Sequence, residues 1–197
     1  MDGITLLRQD HKTVEGLFKR FERAGDGASE TKRDLVDRII EELSVHAVIE
    51  EQVFYPAVRE AVPDAEPTVL EALEEHHIVK WTLSELEGMA PDQERFDPKV
   101  TVLIESVRHH VEEEEGELFP EVRKALGRKR LAEIGEAMEK AKKAAPTRPH
   151  PRAPDTPPGN IAAGAAAGAV DKVRQAGKKA VKTGKKAAKS TRRTAPS

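Results

Sequence analysis

Two stretches hold the groups in this chain best suited to chemistry. One is His46-Ala47-Val48-Ile49-Glu50-Glu51-Gln52-Val53-Phe54-Tyr55-Pro56; the other, 64 residues later, is His110-Val111-Glu112-Glu113-Glu114-Glu115-Gly116-Glu117-Leu118-Phe119-Pro120. In both, a histidine is followed four residues on by glutamate and ten residues on by proline. Positions i and i+4 of a helix share one face, so each imidazole and carboxylate can reach a common metal, or two metals sharing a bridge. A repeat at this separation predicts two similar helical hairpins within one domain.

Four consecutive glutamates, taken alone, describe a solvated helix face, and a single His-x-x-x-Glu arises by chance. Both copies, however, put their histidine on an apolar stripe. The stripes run Leu35, Ile39, Leu43, His46, Glu50, Val53 and Val100, Leu103, Val107, His110, Glu114, Leu118, the spacing of a helix-bundle seam. A glutamate in a seam needs a partner, because burying an unpaired charge is very costly. Two matched glutamates beside two matched histidines point to metal more than to a structural ion pair.

The elements that must position these groups follow from caps and breakers. Asp2 caps a first helix reaching about Ala24, with stripe Ile4, Leu7, His11, Val14 and Phe21, and Gly25-Asp26-Gly27 breaks it. A second helix starts near Ser29–Lys32 and is kinked or ended by Pro56, continuing briefly to Val62. A third covers about Glu66 to Met89, with stripe Val69, Leu73, His76, Val79, Leu83, Leu86. Asp97-Pro98 caps and opens a fourth, running to Pro120, and a shorter amphipathic segment follows from Lys129 to Ala144. Four long helices with short connections predict an all-α, up-down-up-down four-helix bundle with a short extra helix. The odd helices repeat as well, since Asp10-His11-Lys12-Thr13-Val14 parallels Glu75-His76-His77-Ile78-Val79. Each helix thus offers one inward histidine, and the second and fourth add one glutamate each.

Six ligands are therefore expected to converge: His11, His46, Glu50, His76, His110 and Glu114. Two carboxylates can bridge a pair of first-row metals while imidazoles cap each end. Cysteine is absent, which excludes disulfides, thiolate-held iron–sulfur clusters, c-type haem attachment and a cysteine nucleophile. Imidazole with carboxylate favours two iron ions over zinc, with manganese or a single metal behind them. Six protein ligands leave two octahedral metals short, and so predict an open position for dioxygen, peroxide or nitric oxide. No Gly-rich phosphate loop occurs.

The Asp-His-Lys-Thr-Val segment, the two His-x-x-x-Glu…Pro segments and Glu75-His76-His77 resemble the hemerythrin-like, or HHE cation-binding, domain over about residues 4–125. The resemblance implies a bundle with a non-haem di-iron centre and oxygen-linked chemistry, ranging from oxygen carriage to sensing and to reactions with peroxide or nitric oxide. Oxygen carriers of this family place two histidines four apart on the third helix. Here Ala72 and Lys80 flank His76 at that spacing, and Leu73 and Trp81 flank His77. The missing imidazole favours a more open, reactive or sensing centre over reversible carriage. The second carboxylate is likewise Glu114 at +4, not an aspartate at +5.

Among the neighbours, His77 and His109 stand one position from the stripes and read as rim residues. Glu51 and Glu115 read as outer-sphere or surface groups, and Asp10 and Glu75 as acceptors for imidazole N–H across the bundle. Tyr55 and Phe119 read as packing for the bundle end, with proton donation by Tyr55 as the lesser reading, and Trp81 as a surface or seam residue.

The net charge of −2 hides a division: residues 147–197 hold 12 basic and 2 acidic residues, while 1–146 are strongly acidic. The chain divides into a bundle at 1–145, a Pro-rich linker at 146–160 that keeps clear of the core with a solvated His150, and a basic, largely disordered tail at 161–197. Lys178, Lys179, Lys182, Lys185, Lys186 and Lys189 of that tail suit non-specific phosphate binding to nucleic acid. No run is long and apolar enough to span a bilayer, and the start of the chain lacks signal-peptide character, so a cytoplasmic location is the expectation. Three functions follow: a di-iron protein acting on a small oxygen or nitrogen species; a non-enzymatic iron-binding or sensing module brought to DNA or a partner by its tail; and a structural bundle whose histidines are core residues.

Overall fold

The structure is a computed structural model and describes residues 1–25 and 27–172. The six tail lysines named above lie outside the described residues. Helix α1 (Gly3–Glu22) begins at Asp2, whose Oδ1 accepts the Thr5 N–H at 2.9 Å. Helix α2 (Ser29–Ile49) passes through a π-helical turn, Glu50–Phe54, into α3 (Tyr55–Ala61). After a 3₁₀ turn at Pro63–Ala65 come α4 (Glu66–Gly88) and α5 (Phe96–Glu113). A second π turn, Glu114–Leu118, leads into α6 (Phe119–Ala144). The result is the up-down-up-down bundle, with the later part of α6 as the extra helix.

The prolines act differently from a simple stop. Pro56 and Pro120 cannot donate to the carbonyl four residues back, and the chain accommodates both by widening the preceding turn. Tyr55 N–H reaches Glu50 O and Phe119 N–H reaches Glu114 O, each five residues back. The helix thus runs on through the proline. The start of α5 also differs from expectation: the cap position is Arg95, and Asp97 lies inside the first turn, where Lys32 of α2 holds its carboxylate.

Apolar side chains form two slabs. One gathers Ile4, Leu7, Ile49, Phe54, Val58, Val69, Leu118, Val122, Leu131, Ile134 and Met138; the other gathers Val14, Phe18, Leu35, Ile39, Leu83, Phe96, Leu103 and Val107. In every bundle helix the stripe histidine falls between residues of the two slabs, so one layer across the bundle is polar and sealed above and below. Gly127 breaks α6 at φ 67° and ψ 175°, a backbone region glycine enters freely, and turns the later part of the helix back onto α1 and α2.

Residues 146–158 fold back on the bundle instead of standing clear. Pro146 and Pro149 are buried, and a helix at 159–172 lies against the first π turn. Gln52 Nε2 donates to Asn160 O at 3.0 Å and Thr147 N–H to Asp171 Oδ2 at 3.0 Å, and Arg148 pairs with Glu87. His150 sits 3.5 Å from Asp171. Among the described residues no helix is long and apolar enough to cross a membrane.

Candidate metal centre

The polar layer brings all six sequence-predicted residues together, every one of them buried. Each imidazole turns Nε2 inward. Glu50 Oε2 lies 3.1 Å from His46 Nε2 and 3.3 Å from His76 Nε2, while Glu114 Oε2 lies 3.5 Å from His11 Nε2 and 3.7 Å from His110 Nε2. His11 and His46 approach Nε2 to Nε2 at 3.2 Å. Donor atoms of His11, His46, Glu50 and Glu114 lie within 4.8 Å of one another, as do those of Glu50, His76 and His110. Glu50 is common to both groups.

Each Nδ1 faces outward to a carboxylate. His11 meets Glu115 at 2.8 Å, His76 meets Glu51 at 3.0 Å and His110 meets Glu75 at 2.7 Å. His46 has Asp10 at 3.8 Å, beyond hydrogen-bond reach, and that aspartate is held by Lys142 at 2.5 and 2.6 Å. The arrangement follows the repeat: the acid preceding each odd-helix histidine faces an even-helix histidine, and the glutamate five residues past each even-helix histidine holds an odd-helix one. An Nδ1–H given to an outer carboxylate leaves the lone pair on Nε2, the tautomer a metal requires.

The interior is thus a convergence of lone pairs with too few protons among them. Tyr55 O–H supplies one, to Glu114 Oε1 at 3.0 Å, and also lies 3.4 Å from His76 Nε2. Neither oxygen of Glu50, nor Glu114 Oε2, nor His110 Nε2 has a hydrogen-bond partner among the described residues. Burial, then the nearby Glu114 carboxylate, pushes the Glu50 carboxyl well above the usual range. Burial also disfavours the charged form of Glu114, but the surrounding imidazoles outweigh it and hold that carboxyl down at about 2. Burial lowers His46 to about 4, so it stands neutral and ready to ligate near pH 7. Buried, mutually facing N and O donors crowded into one layer fit a cation.

Around this set, His77 and His109 are exposed; His77 accepts from Trp81 Nε1 at 3.0 Å and His109 pairs with Glu113 at 3.3 Å. Tyr55 both packs the bundle end and turns its hydroxyl to the centre. Lys80, Lys142, Arg8 and Asn160 were not singled out from the sequence as parts of the site. Lys80 stands at one of the places, four residues from His76, where the carrier pattern could have its further histidine. Its ammonium lies 2.9 and 3.1 Å from the two oxygens of Glu51, in a buried ion pair. The spacing from His76 was its only signal. A cavity of about 600 Å³ reaches the four histidines through walls that include Val14, Phe18, Leu43, Val79 and Val107, with Arg8, Glu15, Arg108 and Glu115 at its edge.

The family model of the hemerythrin HHE cation binding domain matches residues 2–122. A hemerythrin-like protein of Schizosaccharomyces pombe is 30% identical over 167 residues, 84% of this chain and 81% of that one. A DNA nickase of a Nostoc species is 29% identical over 121 residues, covering 61% of this chain and 33% of its own length. The crystal structure of an HHE cation-binding domain-containing protein from Mycobacterium kansasii shares the fold, with a TM-score of 0.62 at 24% identity over 73% of this chain and 86% of that chain. With its bundle, its layer of inward donors and this match, the chain belongs to the hemerythrin HHE cation-binding family.

Proposed function

We propose that this protein carries a non-haem di-iron centre that binds or reacts with dioxygen, peroxide or nitric oxide. His11 and His46 would hold one iron and His76 and His110 the other, with Glu50 and Glu114 as the carboxylate ligands. The observation that carries the reading is Glu50: fully buried, shared by both donor groups, and with both oxygens unpartnered. Imidazole with carboxylate suits iron, and no cysteine stands in the chain to favour softer metals. Bound iron would supply redox chemistry and a coordination position left open by so few protein ligands.

The chain's own residues do the rest. The outer carboxylates Glu115, Glu51 and Glu75 fix the tautomers of His11, His76 and His110. Tyr55, its phenol pushed well up by burial and by Glu114, keeps its proton at neutral pH and offers it beside the centre. The cavity is wide enough to bring a small molecule to the four histidines. The test is metal content with an optical spectrum, followed as the reduced protein meets dioxygen, peroxide or nitric oxide. About two irons per chain with a charge-transfer band that responds is the expected result. A single metal, or zinc, would overturn the paired centre, and no metal would return the histidines to a core role.

A second reading rests on the charge division. The 12 basic residues of 147–197 against an acidic bundle suit a non-enzymatic iron-binding or sensing module delivered to nucleic acid, and one relative is named as a DNA nickase. Peroxide turnover separates the readings, because a sensor reacts once and then stops.

A further inference from the structure

The two π turns each leave one main-chain carbonyl without a helical donor. The step that takes Glu50 O to Tyr55 N–H would take Glu51 O to residue 56, which is proline and has no N–H. In the second copy the same step brings Glu115 O to Pro120. A carbonyl away from water needs a donor; at Glu51 a side chain from outside the helix provides it in a buried contact, and at Glu115 one does so at the exposed surface. Arg8 Nη2 donates to Glu115 O at 3.4 Å, and Asn160 Nδ2 donates to Glu51 O at 3.1 Å. The residues so capped are the ones whose carboxylates hold His11 and His76.

We propose that Asn160 is a positioning residue of the metal centre: it fixes the main chain at Glu51, and through the Glu51 carboxylate the orientation of His76. Residues 146–172 thereby complete the His76–His110 half of the centre from outside the bundle, while Arg8 of α1 serves the His11–His46 half. The inference rests on the di-iron reading above.

Three observations support it. Asn160 is itself buried, and its amide also donates to Asp155 O at 2.9 Å, so its position is fixed from both sides. Gln52, next to Glu51, returns a hydrogen bond to Asn160 O at 3.0 Å, clamping the π turn at two adjacent residues. The likeness to the S. pombe protein covers 84% of this chain, well beyond residues 2–122 of the family domain.

The experiment titrates ferrous iron anaerobically into the full-length parent chain and its Asn160→Ala, Asn160→Asp and Arg8→Ala variants. Both iron affinities, the optical spectrum and the helical circular dichroism are read for each. Asn160→Asp keeps the side-chain shape and loses the donor, so it separates positioning from packing. Both Asn160 variants should bind one of the two irons about tenfold more weakly, with the other unchanged and helicity kept. Arg8→Ala should weaken the other iron, and Arg8→Ala with Asn160→Asp should weaken both. Asn160→Asp with parental affinities and spectrum would overturn the proposal, as would an equal loss at both irons. A parent chain that takes up no iron sinks the di-iron reading itself and this inference with it.

Discussion

Glu50 shows how a single side chain ties stability to function. A carboxyl whose pKa is raised by burial holds its proton longer in the folded protein than in the unfolded chain. The unfolded chain releases that proton first, so the contribution of Glu50 to metal-free stability should fall as pH rises above the ordinary glutamate value of 4.5. Glutamine keeps the shape of the protonated acid and cannot ionise. Metal-free Glu50→Gln should therefore be more stable than the metal-free parent at pH 7, and its advantage over the parent should grow as pH rises above 4.5. Iron should reverse the order, because on the proposed reading it would stabilise the parent by mass action and Glu50→Gln much less. Urea unfolding of both proteins, with and without ferrous iron across pH 5 to 8, checks this, and the same order in both conditions would refute it. The six inward donors were legible because the stripe repeats them. The outer acids were legible where they adjoin a histidine: Glu75 meets His110 as expected, while Asp10 faces His46 from beyond hydrogen-bond reach and is held by Lys142. Glu51 was only half legible: on a regular helix it turns away from His46, and the wider π turn brings it inside with Glu50.

At the scale of elements, helix ends and breaks follow local chemistry that a sequence states plainly, such as the Asp2 cap and the Pro63 turn. The π turns escape such reading, since the same proline can end, kink or widen a helix and the outcome depends on tertiary partners for the freed carbonyl. The break in α6 is simpler. Gly127 has a positive φ and open space around its Cβ position, so a substitution there meets backbone strain and no clash. Gly127→Ala should cost about 1–3 kcal/mol, read by urea unfolding. It should leave iron affinity largely as it was, because the later part of α6 meets the donor layer through Lys142, whose partner Asp10 stands beyond hydrogen-bond reach of His46. A loss of iron from Gly127→Ala would mean that this packing also sets the position of His11 or His46.

At the scale of the whole molecule, the bundle was legible because its core follows one period through four helices. The folding back of residues 146–172 was not. A run of prolines reads as a spacer, and nothing local announces that Asn160 meets a carbonyl more than a hundred residues away. What permits the docking is close backbone approach. A Cβ at Gly168 would stand 2.3 Å from Ala144 O, and one at Gly164 would stand 2.8 Å from Gln52 Nε2. The second contact is a flexible side-chain end that can move aside, whereas the first is main chain and cannot. Gly168→Ala is otherwise a gain for a helix, since alanine has the better intrinsic propensity by about 1 kcal/mol. The two effects oppose each other and act in different places: the helix at 159–172 gains propensity while its seat against Ala144 is lost. Hydrogen exchange should then show faster exchange for the amides of 159–172 in Gly168→Ala, and proteolysis should cut sooner within 146–158. Gly164→Ala should change neither by as much. Equal protection in the two variants would mean that the segment is held by its hydrogen bonds to Glu51 and Gln52 and not by close packing, and the bundle could then release it without repacking Ala144.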